Sequence, residues 1–121
     1  MFAIIALTLI SQQPLVPITE GYASFYTVRS SSRVTASGER MRDDLKTCAM
    51  RVGDFGDYFL VVAQNGESVI CKLNDRGPYV EGRVIDLSRT AMSAFSLDIG
   101  LLHVKVYRLG TNPPPDAPRK I

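Results

Sequence analysis

The stretch Tyr58-Phe59-Leu60-Val61-Val62-Ala63-Gln64-Asn65-Gly66-Glu67-Ser68-Val69-Ile70-Cys71-Lys72-Leu73 decides the fold class. Tyr58 to Ala63 is a compact apolar run. Asn65-Gly66 is a strong hairpin signal, because both residues tolerate the backbone of a tight turn. From Ser68 onward, Val69, Cys71 and Leu73 alternate with Ser68, Ile70 and Lys72, the period of a strand with one buried face. Other segments repeat the pattern. In Gly21 to Tyr26, Tyr22, Ser24 and Tyr26 fall on one face, with Ala23 and Phe25 on the other. Val84 to Leu87 is a short strand. In Leu101 to Leu109, Leu102, Val104 and Val106 alternate with His103, Lys105 and Tyr107. One helix is expected over residues 89–95, with Ser88 as N-cap and Leu87 and Met92 as a hydrophobic staple. Many short strands, tight turns and one short helix suggest a small closed barrel.

Beyond the hairpin, the strand runs into Asn74-Asp75-Arg76-Gly77-Pro78-Tyr79. Simple alternation carries Asp75 onto the face of Val69, Cys71 and Leu73, at the lip of the barrel. Desolvation there disfavours a charged carboxyl, the condition for a group that must donate a proton near neutral pH. The competing reading makes Asp75 an ion-pair partner of Arg76 or a cap for the Gly77-Pro78 turn. Thr35-Ala36-Ser37-Gly38-Glu39 is a loop by composition and supplies two hydroxyls and a carboxylate. With Tyr22, Tyr26 and Tyr79 nearby it could bind a sugar, or it is an exposed turn. Asp86, two residues before the N-cap, either supports the helix start and holds Arg76 or Arg83, or belongs to a site.

The chain has 121 residues, 45% of them hydrophobic, which suits one globular domain. The net charge of +2 is spread along the chain and gives no case for nucleic acid. A single histidine and no close cysteine pair argue against a metal centre, and no cofactor motif is present. Cys48 and Cys71 could pair in an oxidising compartment, or remain as buried thiols. The apolar start, residues 1–10, is too short to span a bilayer and matches the core of an export signal. No Lys or Arg precedes it and no Ala-x-Ala site follows. Residues 1–19 are therefore read as leader and linker, 20–109 as the domain, and 110–121, with four of the seven prolines, as an extended tail.

Four motifs in order carry a resemblance: Gly21-Tyr22-Ala23-Ser24-Phe25-Tyr26, Thr35-Ala36-Ser37-Gly38-Glu39, Asn74-Asp75-Arg76-Gly77-Pro78-Tyr79 and Gly82-Arg83-Val84-Ile85-Asp86-Leu87-Ser88. Over about residues 20–108 the chain resembles RlpA-like proteins, which are related in fold to expansins and barwin. The resemblance implies an all-β, six-stranded double-psi β-barrel with one or two short helices. It also implies a lytic transglycosylase acting on peptidoglycan glycan strands, exported to the cell envelope and working as a monomer. Asp75 then matches the general acid and base, and Glu39 a second active-site carboxylate. Tyr22, Tyr26, Thr35, Ser37, Met50, Arg76, Tyr79 and Asp86 become candidate substrate contacts.

One position departs from the family. The segment that usually reads Thr-Ala-Ala-His is Thr47-Cys48-Ala49-Met50 here. Methionine cannot transfer a proton, and its ordinary role is to fill a core gap. This keeps open an expansin-like module that grips glycan without cutting it. A third reading is a structural subunit of a phage or secreted assembly, supported by the Pro-rich tail and the unusual leader. The expectation for the site is that Asp75 and Glu39 face one open groove near Met50.

Overall fold

The computed structural model describes residues 16–26, 34–95 and 101–114. The expected leader and most of the expected Pro-rich tail lie outside these residues. Six strands form the frame: β1 (Thr19–Tyr26), β2 (Thr47–Ala49), β3 (Tyr58–Ala63), β4 (Ser68–Asp75), β5 (Arg83–Ser88) and β6 (Leu102–Gly110). They close into a barrel in the ring order β1-β5-β2-β4-β3-β6. β1·β5 and β2·β4 are parallel, and the other four pairings are antiparallel. This is the six-stranded double-psi barrel the resemblance implies.

The hairpin forms where Asn65-Gly66 stands, with a three-residue loop. Gly66 takes φ 90° and its N–H reaches the Ala63 carbonyl at 3.0 Å. The Ala63 N–H then bonds the Glu67 carbonyl at 2.8 Å, and the Asn65 side-chain oxygen accepts the Glu67 N–H at 3.0 Å. Glycine is suited to that left-handed position because a Cβ would crowd the backbone.

The inward alternation builds the core. Ala23, Phe59, Val61, Val69, Cys71, Leu73, Ile85, Leu87, Leu102, Val104 and Val106 converge inside the ring. A fully buried side chain of this size contributes about 1.5–3 kcal/mol. Cys48 and Cys71 join across β2 and β4 as a disulfide with Cα atoms 5.8 Å apart, and both are fully buried. Asp57, also buried, is held by the Arg108 guanidinium at 2.8 Å.

Helix α1 covers Arg89–Met92 only, shorter than the expected 89–95. The Ser88 hydroxyl caps it by accepting the Ala91 N–H at 3.3 Å. That hydroxyl also accepts the Thr47 N–H at 3.1 Å and donates to the Leu45 carbonyl at 2.6 Å. One buried serine thus ties helix, β2 and the preceding loop together. β2 was not among the segments read as strands. It is three residues long, wholly buried, and too short to show a period.

Candidate functional site

Two register shifts shape the site. Along β2·β4, Cys48 pairs with Leu73 but Ala49 pairs with Asp75, so β4 spends an extra residue, Asn74, on one step of β2. Such a bulge re-aims the side chain that follows it. The expectation that Asp75 shares the inner face of Leu73 is therefore corrected. Asp75 aligns with Ala49, which lies outside the apolar core cluster. Ala49 pairs in turn with Asp86, and Asp86 with Ser24. The second shift, between Tyr22 and Ala23 on β1 against β5, sets that last pairing.

The result is a row across four strands: Asp75, Ala49, Asp86 and Ser24. Ala49 and Ser24 are buried floor positions, and the two aspartates stand half-buried. The aspartates are two strand spacings apart, at most roughly 10 Å between backbones. Asp86 Oδ1 accepts the Ser24 hydroxyl. Asp86 was expected to hold Arg76 or Arg83 if structural; its side-chain partner is Ser24.

Asp75 is held through one oxygen. Oδ1 accepts the Ala36 N–H at 2.9 Å and the Arg76 N–H at 2.9 Å. Among the described residues, Oδ2 accepts no hydrogen bond. The Asp75 carbonyl accepts the Met50 N–H at 3.2 Å. The Asp75–Arg76 ion pair does not form. The Arg76 guanidinium instead donates to the carbonyls of Met50, Val52 and Gly53 at 3.3, 3.2 and 2.8 Å and lies 4.3 Å over the Phe55 ring. Arg76 is thus a clamp on the loop after β2, with its charge already engaged.

The 35–39 loop closes one side. It is pinched by the Thr35 N–H to the Glu39 carbonyl at 2.8 Å and by the Val34–Arg40 bridge. The Ser37 N–H reaches the Asn74 carbonyl at 3.1 Å, docking the loop on the bulge. The Thr35 and Ser37 hydroxyls bond each other at 2.9 Å. Glu39 forms an ion pair with Lys72, Oε2 to Nζ 3.1 Å. Asp75 and Glu39 are therefore both tied to the same loop and the same strand.

Other candidates scatter. Met50 is completely buried in the core, so its side chain faces no groove and offers a ligand no surface. Thr35 and Tyr26 are buried too, whereas Tyr22 and Tyr79 are exposed. The Tyr26 hydroxyl bonds Thr47 Oγ1 at 2.9 Å. Burial pushes its pKa up to about 12, against the pull of the Thr47 bond and with help from the charges of Asp75, Asp86 and Asp43. Tyr22 stacks edge-on against His103, centroids 5.3 Å apart. Sequence reasoning missed Lys72, Phe55 and the Ser24–Asp86 bond. The first two carry no motif, and the third depends on a parallel pairing that no local pattern announces.

A cleft of about 640 Å3 opens elsewhere, over β6 and the β3–β4 turn, lined among others by Glu20, Gln64, His103, Lys105 and Tyr107. It holds none of Asp75, Glu39 or Asp86. Volume alone performs no chemistry, so the polar row is the better candidate site. No cluster of metal-ligating side chains occurs among the described residues.

Residues 18–106 match the family described as lytic transglycolase. The chain is 43% identical over 89 residues to the endolytic peptidoglycan transglycosylase RlpA of Pasteurella multocida, covering 72% of this chain and 30% of that protein. It is 39% identical over 97 residues to a probable RlpA of Treponema pallidum, covering 78% of this chain and 30% of that protein. The chain thus spans about a third of the length of these curated relatives. Among solved structures, the Streptomyces papain inhibitor superposes with TM-score 0.58 at 18% identity, over 78% of this chain and 97% of that one. The apo expansin of Clavibacter michiganensis gives TM-score 0.58 at 19% identity, over 80% of this chain and 52% of that one. At such identity these two speak to the fold alone.

Proposed function

This chain belongs to the lytic transglycolase family of RlpA-type double-psi barrels, and from that premise we propose that it cleaves peptidoglycan glycan strands. The bond cut is the β-1,4 link between N-acetylmuramic acid and N-acetylglucosamine, and the product carries a 1,6-anhydro ring. Asp75 protonates the leaving glycosidic oxygen. The same carboxylate then takes the proton of the muramoyl C6 hydroxyl as that oxygen closes on C1. One group acts as acid and then base, so no water-activating partner is needed. The observation that carries this reading is the mounting of Asp75: half-buried, fixed through Oδ1, with no hydrogen bond to Oδ2 among the described residues.

Glu39, held by Lys72, stabilises the positive charge that develops at C1. Asp86, Ser37 and the exposed rings of Tyr22 and Tyr79 contact the sugars. The substrate places the chain in the cell envelope, and the Cys48–Cys71 disulfide fits an oxidising compartment reached by export. The test is anhydro-ended product released from purified glycan strands, read by mass spectrometry. Asp75→Asn is expected to lower the rate by at least about 100-fold. Equal product from the variant removes Asp75 from the mechanism.

Met50 favours a second reading, because a buried thioether moves no proton. In that reading the chain binds glycan without cleaving it. Sedimentation with sacculi, with no anhydro product from wild type, supports it.

A further inference from the structure

The cleft over β6 takes no part in the chemistry above, and its lining has a definite character. Leu102, Val104 and Val106 belong to the core, so His103, Lys105 and Tyr107 stand on the outer face of β6, each about 7 Å from the next. On β1, Glu20 is the register partner of Lys105, and Tyr22 that of His103. On β3, Val62 pairs with Lys105, and Gln64 stands exposed just past the strand. The cleft therefore lies over β1, β6 and β3, whereas the Asp75–Ala49–Asp86–Ser24 row crosses β4, β2, β5 and β1.

The lining selects a class of ligand. One carboxylate, Glu20, lies opposite one ammonium, Lys105, so these charges offset each other and draw in neither an anion nor a cation strongly. The Gln64 amide, the Tyr107 phenol and the His103 imidazole each donate and accept. Glu20 Oε2 and His103 Nε2 stand 3.9 Å apart. That is too long for a hydrogen bond, yet one hydroxyl placed beside them reaches both. Tyr22 meets the His103 ring edge-on at 5.3 Å and sets its orientation. Tyr107 is half-buried and lines the cleft. An aromatic ring among neutral donors and acceptors suits a chain that carries hydroxyls, amides and apolar C–H faces.

We infer that this cleft is a second, non-catalytic binding site for a glycan strand, held by its hydroxyl and acetamido groups. Tyr107 is the stacking ring, and Glu20, His103 and Gln64 are the hydrogen-bonding partners. The choice of a wall glycan as occupant rests on the reading above and adds to it a second point of attachment. Because the cleft holds none of Asp75, Glu39 or Asp86, one strand bound there leaves the carboxylate row free for another. Two attachments to one sacculus raise the effective concentration of substrate at the row.

The probe is a neutral hexamer of β-1,4-linked N-acetylglucosamine, titrated into wild type, Tyr107→Ala, Gln64→Ala and Asp75→Asn and followed by backbone amide NMR shifts. Sedimentation with sacculi and anhydro-product release from short soluble strands are measured alongside. The hexamer is expected to shift amides of residues 62–66 and 103–107 in wild type and equally in Asp75→Asn. Tyr107→Ala weakens those shifts and sacculus binding about ten-fold, and Gln64→Ala about three-fold. Product release from short strands stays within about two-fold in both, which also shows that they are folded. Should Tyr107→Ala unfold, Gln64→Ala alone decides. Shifts confined to residues 35–39 and 74–76, or cleft shifts that neither variant weakens, overturn the second site. So do cleft shifts produced by a charged peptide and not by the hexamer. A wild type with cleft shifts but no anhydro product sinks the cleavage reading and leaves this site standing.

Discussion

Replacing Cys48 and Cys71 together by alanine removes a cross-link between β2 and β4, and its effect can be sized from the chain. The bridged residues are 23 apart in sequence. Freeing a loop of that length in the unfolded chain corresponds to about 3.4 kcal/mol at 25 °C by the chain-entropy relation. The two small voids left among fully buried neighbours push the same way. For a domain of this size each kcal/mol moves Tm by about 5 °C, so the expected fall is about 17 °C. The assay is paired thermal and urea unfolding of wild type and the double variant. The urea m-value should rise slightly, because an unlinked unfolded chain exposes more surface. A double variant within about 1 kcal/mol of wild type, at unchanged m, refutes the reasoning. The bond would then be absent or irrelevant to the unfolded ensemble.

Two further outcomes are expected. Tyr26 has a folded pKa of about 12 against an ordinary value near 10, so below pH 10 both states are protonated and stability does not depend on it. Between pH 10 and 12 only the folded state keeps the proton, so stability falls as pH rises, by an amount on the order of 2–3 kcal/mol. Tyr26→Phe should flatten the urea midpoint over that range, and the tyrosinate absorbance lost in that variant should be the part that develops above pH 10. An absorbance difference between wild type and the variant that is complete by pH 10 contradicts this. At Gly21 a Cβ would stand 2.7 Å from Val84 Cγ1 and 3.0 Å from the Gly82 carbonyl oxygen. The valine can turn aside but the carbonyl is fixed, so Gly21→Ala is expected to cost about 1–3 kcal/mol in urea unfolding. An unchanged midpoint counts against the close packing of β1 on the start of β5.

The fold was legible wherever burial imposes a period of two. β4 and β6 show it, β3 announces itself instead as a compact apolar run, and Asn65-Gly66 marks the turn between β3 and β4. β1 shows it only in part: Ala23 is in the core and Tyr22 outside, but Phe25, expected on the face of Ala23, is exposed, and Ser24 and Tyr26, expected on the face of Tyr22, are buried. β2 escaped because three buried residues have no alternation to read, yet it supplies the floor of the site through Ala49. The chemistry was legible in part. The motif holding Asp75 pointed to a chain end of β4, but alternation assigned its face wrongly, since a bulge is invisible to a period count. Arg76 looked like a partner for its neighbour. Its long side chain instead found three carbonyls on a loop 23 to 26 residues away in sequence, a contact set only tertiary structure creates. The Glu39–Lys72 pair is of the same kind.

Of the six joints in the ring, only β3–β4 connects strands that follow each other along the chain. The three joints that assemble the Asp75–Ala49–Asp86–Ser24 row all span distant segments. Each must meet the entropy of closing a long loop before it gains anything, which makes assembly slow and collective. A half-built chain can possess the hairpin, and with it Asp75, while nothing stands opposite that carboxylate. Competence at the site therefore needs all three of these joints at once, and the loss of any one of them takes the row apart.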